Sequence, residues 1–175
     1  MEQLLVVSAL GHDRPGIVND LSRVILDASG NIIDSRMTVL GGEFAVILLV
    51  AVSEPLLASL EKSLEELGKA KDLTISSRPT RTQDGTANRM PYHIEVVAID
   101  HPGIVYQLTN YLSKHNINIQ DLVTQRYAAP HTGTSMFSVD IRVAIPSNLA
   151  VKQFREEFRN YCDELNLDMT LESVK

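Results

Sequence analysis

Two hydrophobic spacings alternate along this chain, and each occurs at the same place in two successive stretches of sequence. Leu4–Leu10 is apolar and β-branched, while in Tyr92–Ile99 His93 and Glu95 alternate with Ile94 and Val96. Both segments read as strands. After each strand the spacing changes to that of a helix. Ile17, Val18, Leu21, Val24, Ile25 and Ala28 line one helical face, which Ile104, Val105, Leu108, Tyr111 and Leu112 repeat. Gly41-Gly42 between Asn31–Leu40 and Phe44–Val52 predicts a hairpin, since glycine accepts the positive φ of a tight turn. Asn118–Tyr127 and Met136–Ile145 predict a second hairpin with a longer loop around Ala129-Pro130-His131-Thr132-Gly133. A further helix is expected after Ser53, carrying Leu56, Leu60, Leu64 and Leu67, and another after Ser147, carrying Phe154, Phe158, Tyr161 and Leu165. Either serine is suited to cap the helix it precedes. Leu73–Ser76 and Leu167–Leu171 supply a last short strand each. The order βαββαβ, met twice, predicts an α+β protein of two ferredoxin-like units, each an antiparallel sheet with its helices on one face.

The two stretches are copies of one unit. Asp13, Pro15, Gly16, Ile17, Val18, Leu21, Asn31, Ile32 and Asp34 each recur 87 positions later, as Asp100, Pro102, Gly103, Ile104, Val105, Leu108, Asn118, Ile119 and Asp121. Phe44 meets Phe137 only at an offset of 93, which places a six-residue insertion within Arg126–Ser135. Between the copies, Ser77–Arg89 is polar and aperiodic and contains Pro79, Gly85 and several arginines. The expected organisation is a first domain at 1–76, a linker at 77–89 and a second domain at 90–175.

Composition narrows the classes of function. At 175 residues, 44% hydrophobic and 22% charged, the chain has enough apolar material for two small cores. No apolar run approaches the roughly 18 residues that a membrane helix needs. The start, Met1-Glu2-Gln3, lacks the basic segment of a secretory signal, so a cytoplasmic protein is expected. The single cysteine, Cys162, excludes an intramolecular disulfide and suits a reducing compartment. A formal charge of −6 gives no long-range attraction to a phosphate backbone, so direct nucleic-acid binding is not expected.

The repeated Asp-x-Pro-Gly turn carries the candidate chemistry, and it has two readings. Proline presets φ for a first helical turn, glycine permits close backbone approach, and aspartate can accept from free helix amides. A helix start alone therefore accounts for Asp13, Pro15 and Gly16. In the second reading the exposed amides attract a carboxylate, while Asp13 and the Asn31 carbonyl accept from an ammonium group, a combination suited to an α-amino acid. That reading expects Asn31 and Asn118 to lie near the N-terminal end of the helix or on the strand edge beside it. Asn31 also has a structural explanation, because Gly30-Asn31 can simply end a helix.

Asp13-Arg14-Pro15-Gly16-Ile17-Val18, followed by an amphipathic helix and Asn31-Ile32-Ile33-Asp34 within βαββαβ, resembles the ACT domain, a regulatory module that binds small ligands, usually amino acids. The tandem arrangement, with Asp34-Ser35-Arg36-Met37 and Gly42-Glu43-Phe44, is similar to that of ACT-domain transcriptional regulators. The resemblance implies a ligand site at Gly11, His12, Asp13, Arg14, Pro15, Gly16 and Ile17 with Asn31. In the second copy it implies Ala98, Asp100, His101, Gly103 and Ile104 with Asn118. It further implies an amino-acid ligand, glycine foremost, repression exerted through a transcriptional activator protein, and a homo-oligomer. Repeat 2 departs from repeat 1 in having His101 where repeat 1 has Arg14, and both copies have aspartate where many amino-acid-binding members have asparagine.

Other chemistries find little support. His12-Asp13 resembles the metal-binding dyad of phosphohydrolases, but His93, His101, His115 and His131 are scattered and show no ligand spacing, so no metal is expected. Cys162 falls on an apolar helix face, Ser8 and Ser135 lack a nucleophile elbow, and the Glu61–Glu66 cluster reads as a solvated helix face. No catalytic residue and no cofactor is expected. The competing reading is a non-catalytic interaction or dimerisation module, or a regulatory subunit of amino-acid metabolism unrelated to glycine. Finally, Ala45, Ile47 and Leu49 make the outer sheet face of repeat 1 apolar where repeat 2 has Ser138, Asp140 and Arg142, so that face is expected to be covered.

Overall fold

The computed structural model describes residues 2–81 and 89–174. Its chain divides into two compact units. The first contains β1 (Glu2–His12), α1 (Ile17–Asp27), β2 (Asn31–Leu40), β3 (Glu43–Ser53), α2 (Leu57–Lys71) and β4 (Thr74–Thr80). The second contains β5 (Arg89–Ile99), α3 (Ile104–Lys114), β6 (Asn118–Ala128), β7 (Ser135–Pro146), α4 (Val151–Glu164) and β8 (Asp168–Ser173). The strand orders are β2-β3-β1-β4 and β6-β7-β5-β8, and every neighbouring pair is antiparallel. This is the ferredoxin-like α+β arrangement, twice.

Period two builds the sheet side of each core. Leu5, Val7 and Ala9 of β1 and Phe44, Val46, Leu48 and Val50 of β3 point to one face, where they meet Ile17, Leu21 and Ile25 of α1 and Leu60 and Leu64 of α2. Unit 2 repeats the scheme, with Phe154, Phe158 and Cys162 of α4 at the places of Leu60, Leu64 and Gly68. Each fully buried aliphatic or Phe side chain contributes about 1.5–3 kcal/mol by leaving water. Tyr111 stacks on His115, Phe158 and Tyr161 at ring-centroid separations of 4.3, 4.9 and 4.6 Å, so the second helix layer is aromatic where the first is aliphatic.

Three local expectations are corrected. The polar stretch from Ser77, read as the start of a linker, continues β4 to Thr80 and pairs with β1 from Leu10↔Thr74 to Leu4↔Thr80. An edge strand needs little apolar surface, and here Ile75 packs against the core while Ser77 beside it is half-buried. Residues 82–88 of the expected linker lie outside the described residues. Ser53 does not cap α2: it precedes a 3-10 turn at Glu54–Leu56, makes no side-chain cap hydrogen bond there, and leaves Leu56 at the helix N-cap. α4 likewise starts at Val151, after Ala150 rather than after Ser147.

The outer sheet faces differ between the units. In unit 1, Ile47 is 48% exposed and Leu49 is half-buried. In unit 2, His93 Nε2 lies 3.1 Å from Asp140 Oδ1 on the corresponding surface.

Candidate functional site

In each unit the repeated turn joins the end of the first strand to the first helix. Gly16 is the N-cap of α1 at φ +97°, and Gly103 is the N-cap of α3 at φ +101°. This left-handed backbone is the reason for glycine, since a Cβ at either position would meet nothing within 4 Å. The space above both turns is open. Gly11 is different: a Cβ there would stand 2.6 Å from Leu73 Cδ2 and 3.0 Å from the Asp72 carbonyl oxygen, so close approach of the α2–β4 connection excludes a side chain. Its counterpart in unit 2 is the buried Ala98.

The expected capping role of the aspartates is not what the structure has. Among the described residues, no side-chain cap hydrogen bond is made at the N-terminus of α1 or of α3. Instead the backbone amides tie the turn to the hairpin, Asp13 N donating to Gly42 O and Asp100 N to Ser135 O, both at 2.9 Å. The Asp13 side chain is exposed, with no hydrogen-bond or ion-pair partner among the described residues.

Charges from distant sequence complete the turn of unit 1. Arg14 donates through Nη2 to the carbonyl of Lys71, the last residue of α2, at 3.4 Å, and its Nη1 stands 4.0 Å from Asp20 Oδ2. Lys71 Nζ reaches the same Asp20 oxygen at 3.4 Å. His12 Nδ1 is 3.6 Å from Glu43 Oε1 in an exposed pair. The turn thus presents two cations, Arg14 and Lys71, which share the Asp20 carboxylate near the positive end of α1, and an exposed carboxylate at Asp13; a ligand ammonium would meet Asp13, and a ligand carboxylate would compete with Asp20 for the cations. Asp20 and Lys71 were not among the expected site residues. Lys71 is brought to the turn by the length of α2, which ends at the left-handed C-cap Asp72. In unit 2, His101 replaces Arg14 and turns its Nδ1 to the Pro102 carbonyl at 3.1 Å.

The structure does not bring Asn31 or Asn118 to these turns. Asn31 pairs with Ala51, which pairs with Leu4 at the start of β1. His12 pairs with Glu43 at the other end of the same sheet. Eight strand residues separate the two levels, about 26 Å at about 3.3 Å per residue. Both β1 and β2 run antiparallel to β3, so they are parallel to each other and α1 must return the chain to the starting end. Asn118 follows the same geometry, pairing with Ala144 and so with Pro91. Within one unit, the turn and the asparagine cannot hold one small ligand.

Among the described residues no group of three or more His, Cys, Asp or Glu side chains is placed to hold a metal ion, and no helix is long and apolar enough to cross a membrane. Cys162 is fully buried, and burial pushes its thiol up to about 12. Asp34 is held below the ordinary carboxylate range by the Ser35 amide at 2.8 Å and then by the Arg36 guanidinium at 2.7 Å.

Two ferredoxin-like units, each opening its first helix on a left-handed glycine, define the class: a tandem α+β protein whose shared chemical feature is the Asp-x-Pro-Gly turn. Residues 3–77, the first unit, match the model of the ACT domain, and a second unit of the same fold follows. The glycine cleavage system transcriptional repressor of Escherichia coli (strain K12) is 29% identical over 173 residues, covering 99% of this chain and 91% of that protein. A UPF0237 protein of Methanopyrus kandleri is 44% identical over 69 residues, covering 36% of this chain and 77% of that protein. Among solved structures, an unknown protein from Galdieria sulphuraria superposes with a TM-score of 0.82 at 32% identity, over 100% of both chains. A crystal structure provisionally named as a glycine cleavage system transcriptional repressor gives 0.76 at 28% identity, over 100% of this chain and 99% of that one.

Proposed function

We propose that this chain is a cytoplasmic, non-catalytic regulator that senses an amino acid, glycine foremost, and represses transcription through contact with a DNA-bound activator protein. The observation that carries this reading is the likeness to the Escherichia coli repressor, which runs through both repeats rather than one. The amino-acid part rests on the unit 1 turn, where Arg14 and Lys71 suit a carboxylate and Asp13 suits an ammonium. The formal charge of −6 favours a protein partner over a phosphate backbone. We take domain 1 to run through Thr80, and the exposed edge strand β2 to serve a homo-oligomer.

The regulation has a thermodynamic requirement. A ligand shifts the equilibrium between free and activator-bound protein only if it binds the two forms with different affinity. A gel-shift titration with purified components tests this. The expected result is no sequence-specific shift by this chain alone on a glycine cleavage control region, and a supershift with the activator that changes with glycine. A specific shift by the chain alone overturns the indirect mechanism, and no supershift at any glycine concentration overturns the partner.

A further inference from the structure

The two turns differ in one respect that their common motif conceals. Arg126 of β6 reaches Asp100 Oδ2 through Nε at 3.1 Å, and Ser135 donates its hydroxyl to the same oxygen at 3.5 Å. Arg126 also donates to the Ser135 hydroxyl at 2.9 Å, so the three side chains close a small cluster over the turn. Unit 1 has none of these donors. By strand pairing, Arg126 opposite Phe137 corresponds to Val39 opposite Phe44, and Ser135, whose carbonyl accepts from the Asp100 amide, corresponds to Gly42. The valine and glycine side chains offer Asp13 no donor, and its carboxylate has no side-chain partner among the described residues.

We propose that repeat 2 fills its own turn. The Arg126 guanidinium takes, beside Asp100, the place that a ligand's ammonium takes beside Asp13, so that the chain binds one amino acid, at repeat 1. The ligand part of this inference rests on the amino-acid reading above; the internal pairing stands on its own. Arg126 is 71% exposed in its side chain, and an exposed ion pair is individually weak. Its advantage is tethering: a group fixed on a neighbouring strand competes at an effective concentration on the order of millimolar, which a free ligand must exceed. Repeat 2 is also poorer on the other side of a prospective ligand. Its turn has His101 in place of Arg14 and, counting from the hydrogen bonds Leu73 N to Gly68 O and Leu167 N to Cys162 O, Leu165 in place of Lys71.

Two measurements on the full chain test this. In the first, exposed carboxylates are coupled to glycine ethyl ester with a carbodiimide and located by peptide mass spectrometry. Asp13 is expected to label several-fold faster than Asp100. Arg126→Val should bring Asp100 towards the rate of Asp13, and Arg126→Lys, which keeps a cation, should preserve most of the protection. In the second, backbone amide resonances are followed while glycine is added. Shifts are expected around Gly16 alone in the unaltered chain and around both Gly16 and Gly103 in Arg126→Val. Equal labelling of the two aspartates, or Asp100 remaining slow in Arg126→Val, overturns the internal pairing. A glycine response at Gly103 in the unaltered chain overturns the single-site claim. If labelling behaves as expected while glycine moves neither turn, the amino-acid reading falls and the internal pairing is supported.

Discussion

Asn31 and His12 stand at opposite ends of one sheet, Asn31 level with Leu4 across β3 and His12 level with Glu43. A ligand held at the Gly16 turn of a single chain therefore cannot touch Asn31. We expect Asn31→Ala to leave glycine affinity unchanged. Asp13→Ala and Arg14→Ala should each weaken it by about 1–3 kcal/mol, the usual worth of a charge-assisted hydrogen bond. Isothermal calorimetry separates these outcomes, and loss of affinity in Asn31→Ala would mean that the ligand is shared with a second copy of the chain.

The glycines at the two N-caps make a separate prediction, for stability rather than binding. At φ +97° and +101° an L side chain is strained even where, as here, its Cβ has room. Gly16→Ala and Gly103→Ala should each destabilise the chain by about 1–3 kcal/mol, the cost of holding a non-glycine residue in sparsely populated backbone. Urea unfolding would show the loss as a lower midpoint with an unchanged slope; an unshifted midpoint would place the glycine requirement elsewhere.

The elements that bury a face were legible in the sequence, because the core imposes its period on the residues that build it. Ile17, Leu21 and Ile25, and Leu5, Val7 and Ala9, could be assigned to helix and strand without coordinates. The strand at Ser77–Thr80 was not legible as such, since an edge position with Ser77, Arg78 and Thr80 among its residues carries almost no apolar signal. The turn motif located Asp13 and Gly16 through the internal repeat. Its partners were hidden, because Lys71, Arg126 and Ser135 reach the turns through helix length and hairpin register rather than through local pattern. Asn31 failed in the opposite way: its recurrence is local and visible, but the parallel return of β2 carries it away from the turn.

The edge strands of the two units differ in a way that bears on the proposed homo-oligomer. Unpaired strand edges template pairing with another chain unless charge or polarity blunts them. β2 ends one sheet with Met37 59% and Val39 44% exposed, whereas the pairing places Thr124 and Arg126 at the same positions of β6. Association between copies should therefore run through β2. Met37→Lys combined with Val39→Lys is expected to shift sedimentation from a dimer to a monomer while leaving the circular dichroism intact. An unaltered chain that sediments as a monomer across the accessible concentration range would overturn this.

Cys162 lies within the core of unit 2 beside Phe154 and Phe158, and burial raises its pKa from 9.0 to about 12. The thiolate, not the thiol, is the species that attacks alkylating reagents. Iodoacetamide should therefore leave the native chain unmodified near pH 9 and react only as urea unfolds it, so that labelling tracks the unfolding curve. The same shift fixes the sign of a stability change. Because the folded pKa lies above the unfolded one, the folded state favours the protonated thiol, and the contribution is fully present below about pH 9. It declines as pH rises towards about 12, where unfolding releases the proton. Burial also raises Tyr111 and Tyr161, which act in the same direction, so Cys162→Ala should flatten the alkaline loss of stability without abolishing it. The substitution should itself lower stability at neutral pH, because it leaves a void at a site with no solvent access. Rapid alkylation of the native chain, or an alkaline stability curve that Cys162→Ala leaves unchanged, would contradict the thiol's assignment to the closed core.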